Sequence, residues 1–109
     1  MSELKLYELP ECPVETTALL IGDRWKILIM RELLQGTKRF SEISQSLSGI
    51  SNKVLSQHLK NMEQRGLIKK DILNSGGVKT EYTLTEIGWE LEAVITEMWV
   101  FGEKYKSSN

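Results

Sequence analysis

Two serines, Ser41 and Ser51, constrain this chain more than any other feature. Each suits the N-cap of a helix, where a hydroxyl accepts a hydrogen bond from a free backbone N–H. The first opens "SEISQSL", whose Ile43 and Leu47 share one face at i, i+4 spacing. The second precedes "NKVLSQHLKNMEQR", which stops near Gly66. "SG" at 48–49 breaks the chain between the two. Two short helices joined by a tight glycine-containing turn form a helix-turn-helix, here over 41–65.

The second of these helices, 51–65, is unevenly charged. At 100° per residue Val54, Leu55, Leu59 and Met62 cluster on one side. Lys53, Ser56, Gln57, Lys60 and Gln64 cluster opposite, with Asn52 at the edge. No acid enters that second side before Glu63. A helix that needs only to be solvated mixes both signs of charge. One that lies in the major groove of DNA needs an apolar inner face and an outer face of hydroxyls, amides and cations. Taken alone, the segment fits an ordinary amphipathic helix better. What surrounds it reverses that preference.

"LIKKDIL" and "KTEYTL" flank the turn-forming "NSGGV", which predicts a β-hairpin over 67–84. Upstream, Pro13 opens and Gly22 closes a short helix. Asp23 caps a strongly apolar helix that stops at Gly36, and "TKRF" is a connector. Downstream, Thr85 caps a long helix over 86–105. Residues 1–11 form an irregular arm, and the last residues fray. The predicted fold class is mainly α with a small β-hairpin wing: a winged helix-turn-helix domain with N- and C-terminal dimerisation helices.

A length of 109 residues suits one domain. No apolar run is long enough to span a bilayer, and the N-terminus lacks the basic-then-apolar order of a signal peptide, so the expected location is the cytoplasm without membrane attachment. One cysteine and one histidine leave no internal disulfide and no multi-cysteine metal site, and no metal or cofactor is expected. Without a phosphate-binding glycine loop or a juxtaposed nucleophile and base, the chain is not expected to be an enzyme. The net charge is −1, but its distribution is uneven. Residues 36–70 set seven bases against Glu42 and Glu63, while the segments on either side are net acidic. Such asymmetry steers a polyanion to one face.

The segments "CPVETT", "IGDRWKILIMRELLQG", "RFSEISQSLSGISNKVLSQHLKNMEQRGLI" and "EYTLTEIG" resemble, in order and spacing over residues 12–88, the HxlR-type branch of the winged-helix transcriptional regulators, related in fold to the MarR group. The resemblance implies a dimeric regulator that binds double-stranded DNA. The chain departs from the family pattern in having "GDRW" where Gly-Gly-Lys-Trp is common, and in lacking prolines at the wing tip. Lys79 stands where the family often places a wing arginine, and its two readings, a phosphate or minor-groove contact and a solvated turn lysine, balance.

The expected DNA contacts are Ser51, Asn52, Lys53, Ser56, Gln57 and Lys60, joined by Lys38, Arg39 and Lys79. Lys69 and Lys70 point to opposite faces of a strand, so at most one of them faces DNA. His58, beside the apolar stripe, is expected to be half-buried rather than to read bases. The three tryptophans are expected in core or interface rather than around a ligand. The final helix carries more apolar surface than one small domain can cover, which marks a contact between copies through Leu91, Ile95, Met98 and Trp99, helped by the helix that starts at Pro13. The competing reading is that these residues close the protomer's own core.

Cys12 precedes the first helix, whose positive end favours a thiolate. In some members of the resembled family a cysteine at this place senses oxidants or electrophiles. The favoured reading is the plainer one, a small buried residue. The function expected is a sequence-specific, homodimeric DNA-binding regulator acting on a pseudo-palindromic operator. The alternatives are a winged-helix module for protein contact, or a regulator gated by an unidentified small ligand.

Overall fold

The computed structural model describes residues 9–108 apart from Ser75 and Val78. Most of the expected N-terminal arm and the very last residue therefore lie outside the described residues. Helix α1 spans Pro13–Ile21 and α2 spans Arg24–Leu33. Strand β1 is only Lys38–Arg39 and runs directly into α3, Phe40–Ser46. Helix α4 covers Asn52–Gln64, and the hairpin follows as β2, Ile68–Leu73, and β3, Lys79–Leu84. Helices α5, Glu86–Trp89, and α6, Leu91–Ser107, complete the described chain.

Capping chemistry accounts for most of the boundaries. Asp23 Oδ1 accepts from the N–H groups of Trp25 and Lys26 at 2.8 and 3.3 Å, as its position before α2 predicts. Ser51 Oγ accepts from the Val54 N–H at 3.1 Å and starts α4. The turn between α3 and α4 passes through Gly49 at φ +95°, a conformation a side chain would strain. Thr85 Oγ1 accepts from the Gly88 N–H and donates to the Gly66 carbonyl at 2.6 Å, which joins the end of the hairpin to the end of α4. A Cβ at Gly88 would collide with the Leu67 carbonyl, so the approach of these two segments requires glycine.

Three expectations need correction. The connector at 37–40 contains a strand: Lys38 pairs with Tyr82 and Arg39 with Glu81, which makes a three-stranded antiparallel sheet ordered β1-β3-β2. Ser41 does not cap α3. The strand enters the helix one residue earlier, and the Glu42 carboxylate takes the Arg39 N–H at 2.8 Å. The long C-terminal helix is two helices, because the Glu90 N–H bonds the Ile87 carbonyl three residues back and offsets α6 from α5.

The core collects Ile29, Met30 and Leu33 from α2, Ile43 from α3, Leu55, Leu59 and Met62 from α4, and Ile68, Tyr82 and Leu84 from the sheet. Leu55 and Leu59 are four apart and Met62 follows at three, so α4 presents a single apolar stripe to the others. Truncating one of these fully buried side chains to alanine costs about 2–5 kcal/mol. That stripe holds α4 with its polar side outward.

Candidate nucleic-acid interface

With Leu55, Leu59 and Met62 inside, α4 turns Lys53, Ser56, Gln57 and Lys60 to solvent, and all four are exposed. Ser51 and Asn52 are exposed at its start. His58 lies between the two sides, its ring mostly covered and its Nε2 3.5 Å from Asp23 Oδ1. It is half-buried, as its wheel position predicts, and does not join the outward row.

The sheet adds to this face. Tyr82 of β3 is paired with Lys70 of β2 on one side and with Lys38 of β1 on the other. Directly paired residues share a face of the sheet. Lys70 and Tyr82 there meet Ser56, Gln57, Lys60 and Glu63 of α4 around an open cleft of about 380 Å³. Strand alternation restricted the DNA-facing choice to one of Lys69 and Lys70, and the geometry groups Lys70 with the α4 residues. Burial raises the Tyr82 phenol above its usual titration range, and the Glu63 carboxylate adds to that shift. The cleft thus combines two lysines, a neutral phenol, an amide, a hydroxyl and one acid.

The remaining predicted cations separate. Arg39, one residue along β1 from Lys38, takes the other face of the sheet opposite Glu81. There Arg39 and Lys79 line a second recess of similar size with Phe40, Ser41 and Thr80. Lys38 is engaged internally: its Nζ lies 3.9 Å from Glu32 Oε1 and donates to Gln35 Oε1 at 3.3 Å. Glu32 is buried, and Arg31 contacts its other oxygen at 3.4 Å. A phosphate contact by Lys38 would compete with that carboxylate.

The surface expected between copies is also divided. Leu91 is buried in the protomer's own core, so it does not belong to an exposed contact face. Ile95 packs partly against that core. Met98 and Trp99 stay exposed, and Trp99 retains 65% of its surface. Phe101 and Tyr105, absent from the expected set, are as exposed as Trp99 and stack at 6.2 Å between ring centres. Val14 and Leu19 of α1 are exposed as well. Trp25 packs against the core edge, and Trp89 and Trp99 are exposed. Cys12 is exposed at the N-cap of α1, against the expectation of a buried residue, because the cap lies outside the first turn and nothing described covers it.

A family model described as HxlR-like helix-turn-helix matches residues 20–109. The HTH-type transcriptional regulator YdeP of Bacillus subtilis is 41% identical over 95 residues, covering 87% of this chain and 74% of its own. YodB of the same organism, also an HTH-type transcriptional regulator, is 40% identical, covering 86% of this chain and 85% of its own. Among solved structures, the redox regulator HypR in its reduced form superposes with a TM-score of 0.83 at 32% identity, over 87% of this chain and 94% of that one.

Proposed function

The chain belongs to the HxlR-like helix-turn-helix family and is a transcriptional regulator rather than an enzyme, and from that premise we propose that it acts as a homodimer on a pseudo-palindromic operator, with α4 reading base edges. The observation that carries the proposal is the acid-poor row of Lys53, Ser56, Gln57 and Lys60, held outward by a fully buried opposite stripe. Gln57 and Lys53 have the hydrogen-bonding groups for base edges, and Lys60 and Lys70 supply charge for phosphate. Arg39 and Lys79 reach the backbone beside the wing. Two such helices in a dimer need half-sites about 10 bp apart, or a multiple of that.

The homodimer reading is supported by the apolar side chains that one protomer leaves uncovered on α1 and α6. A second element of the reading concerns oxidants. YodB has been crystallised both reduced and diamide-treated, and HypR is described as a redox regulator in reduced and oxidised forms. Together with the exposed thiol of Cys12, this supports an oxidant- or electrophile-responsive regulator. A DNA-binding role fits the cytoplasm, and no helix among the described residues is long and apolar enough to cross a membrane.

The test is selection of bound sequences from a random DNA pool, followed by affinity measurements on selected and random duplexes at two salt concentrations. Enrichment of a two-fold-symmetric site is the expected result. Binding with no enriched sequence would reject specific reading, and no binding at either salt would reject the function.

A further inference from the structure

Ser44, on α3, takes no part in the surface described above, yet its side chain reaches across the turn. Its Oγ lies 3.1 Å from Oδ1 of Asn52, the first residue of α4. A hydroxyl can donate and a carboxamide oxygen can only accept, so the bond runs from Ser44 to Asn52. Among the described residues the Asn52 amide nitrogen has no hydrogen bond. Ser44 is half-buried on the scaffold helix, while Asn52 is exposed.

This arrangement decides what Asn52 can recognise. An asparagine that reads adenine uses both ends of its carboxamide, donating to N7 and accepting from the N6 amine. Here the oxygen is turned back onto α3 and one of its two lone pairs is taken by Ser44, so the end left without a protein partner is the N–H₂ donor end. Asn52 also stands roughly 90° around α4 from the middle of the outward row at 100° per residue, toward the flank where a groove-bound helix meets the sugar-phosphate wall.

We propose that Asn52 is a phosphate contact and not a base reader, and that Ser44 is the positioning residue that sets it so. This rests on the DNA-binding reading given above. A carboxamide held with its N–H donors outward meets phosphodiester oxygens, which occur at every step of the duplex, so its contribution is independent of sequence. Ser44 holds the carboxamide in that orientation before DNA arrives, and because the bond joins α3 to α4 it also fixes where along the backbone the donor falls.

The experiment compares wild type with Asn52→Ala, Ser44→Ala and Ser44→Thr, and with the Asn52→Ala, Ser44→Ala pair. Each is measured by selection from a random pool, by affinity on selected and random duplexes, and by thermal unfolding. Asn52→Ala is expected to weaken both duplexes by the same factor, about tenfold for one bond to a charged group, and to leave the selected sequence unchanged. Ser44→Ala is expected to weaken both by a smaller common factor. Ser44→Thr, which keeps the hydroxyl, restores affinity, and Ser44→Ala has no further effect once Asn52 is alanine. A changed base preference at one position in Asn52→Ala would overturn the proposal, because the residue would then be reading a base. Equal losses from Ser44→Ala in the presence and absence of the Asn52 side chain, or a fall in thermal midpoint that accounts for the lost affinity, would reduce Ser44 to a structural residue. A wild type that binds no DNA overturns this proposal together with the function, whereas a wild type that selects a site isolates the failure to Asn52.

Discussion

His58 Nε2, on the helix that carries the outward row, stands 3.5 Å from the same Asp23 Oδ1 that caps α2. One carboxylate therefore starts the central helix of the core and touches the middle of α4. The cap contribution can be separated from the charge. Asparagine caps a helix about as well as aspartate, while alanine loses about 1 kcal/mol. Asp23→Ala should lower the unfolding free energy by about that amount, and Asp23→Asn by only a few tenths of it, as measured by urea denaturation. Equal losses in both variants would mean that the carboxylate's contact with His58, rather than the cap, is what Asp23 contributes.

Gln57 and Lys70 face one cleft but should fail in different ways. Gln57→Ala should cost about 1–3 kcal/mol on a selected site if it forms a bidentate pair, and little on random DNA. Lys70→Ala should weaken all sequences alike and flatten the dependence of log affinity on log salt by about 0.9, the share of one neutralised phosphate. Fluorescence anisotropy at four salt concentrations separates the two. A Gln57 variant that loses equally on both duplexes would show that α4 does not read bases at that position.

How much of this was legible in the sequence follows from which signals are periodic. Leu55, Leu59 and Met62 recur at helical spacing, so both the buried stripe of α4 and the polar row opposite could be read from residue order alone. Ser51, Asp23 and Thr85 cap as predicted because their side chains act on backbone two or three residues away. A two-residue strand has no period, so the pairing of Lys38 with Tyr82 was invisible, and with it the displaced start of α3. Lys38 looked like a free cation because its partner Glu32 lies on another element. The grouping of Lys70 with Gln57 and the division of the apolar C-terminal residues between core and surface both depend on tertiary packing. Leu91 turns inward at the offset after Glu90, while Trp99 and Phe101 beyond it stay exposed.

Those exposed residues predict the assembly. Trp99→Glu and Phe101→Glu place charge on faces that a second copy would cover, and neither side chain belongs to the buried core. The wild type should sediment as a dimer at micromolar concentration and the double variant as a monomer of 12.5 kDa with its helical content retained. Operator affinity should fall along with the dimer, since each half-site alone supplies only part of the contact. A monomeric wild type would refute the homodimer reading.

Tyr82 gives a pH dependence with a definite sign. Burial, reinforced by the Glu63 carboxylate, raises its phenol in the folded protein. A free tyrosine titrates near pH 10, so as pH climbs the unfolded chain releases this proton first. The stability that Tyr82 contributes is therefore complete below about pH 10 and is lost as pH rises through the higher folded value. Tyr82→Phe should show a shallower fall of unfolding free energy with pH above 10 than wild type, measured by denaturant titration over that range. Identical slopes would mean that the phenol ionises as readily folded as unfolded.

The last prediction concerns Cys12. Its thiol is exposed, and its backbone carbonyl accepts from both the N–H of Thr16, at 2.9 Å, and the Thr16 hydroxyl, at 3.2 Å. The same hydroxyl also lies 3.1 Å from the Pro10 carbonyl, so the first turn of α1 is tied to the chain entering it just where an adduct would sit. Helix α1 exposes Val14 and Leu19 beside this turn, and in the homodimer reading it helps set the distance between the two α4 helices. Modification at Cys12 should therefore change operator affinity by altering that spacing, on the order of 5- to 150-fold for a typical coupling between sites. Diamide oxidises two thiols to a disulfide and is itself reduced to the hydrazine. With one cysteine per chain the bridge must form between chains, visible on a non-reducing gel as a band at twice the chain mass of 12.5 kDa. A quinone instead adds to the thiol without a bridge. Wild type should lose operator affinity under both reagents, recover it with dithiothreitol only after diamide, and differ from Cys12→Ser, which should be unaffected. If wild type and Cys12→Ser lose affinity equally, or neither responds, the thiol is an exposed cap residue with no part in sensing.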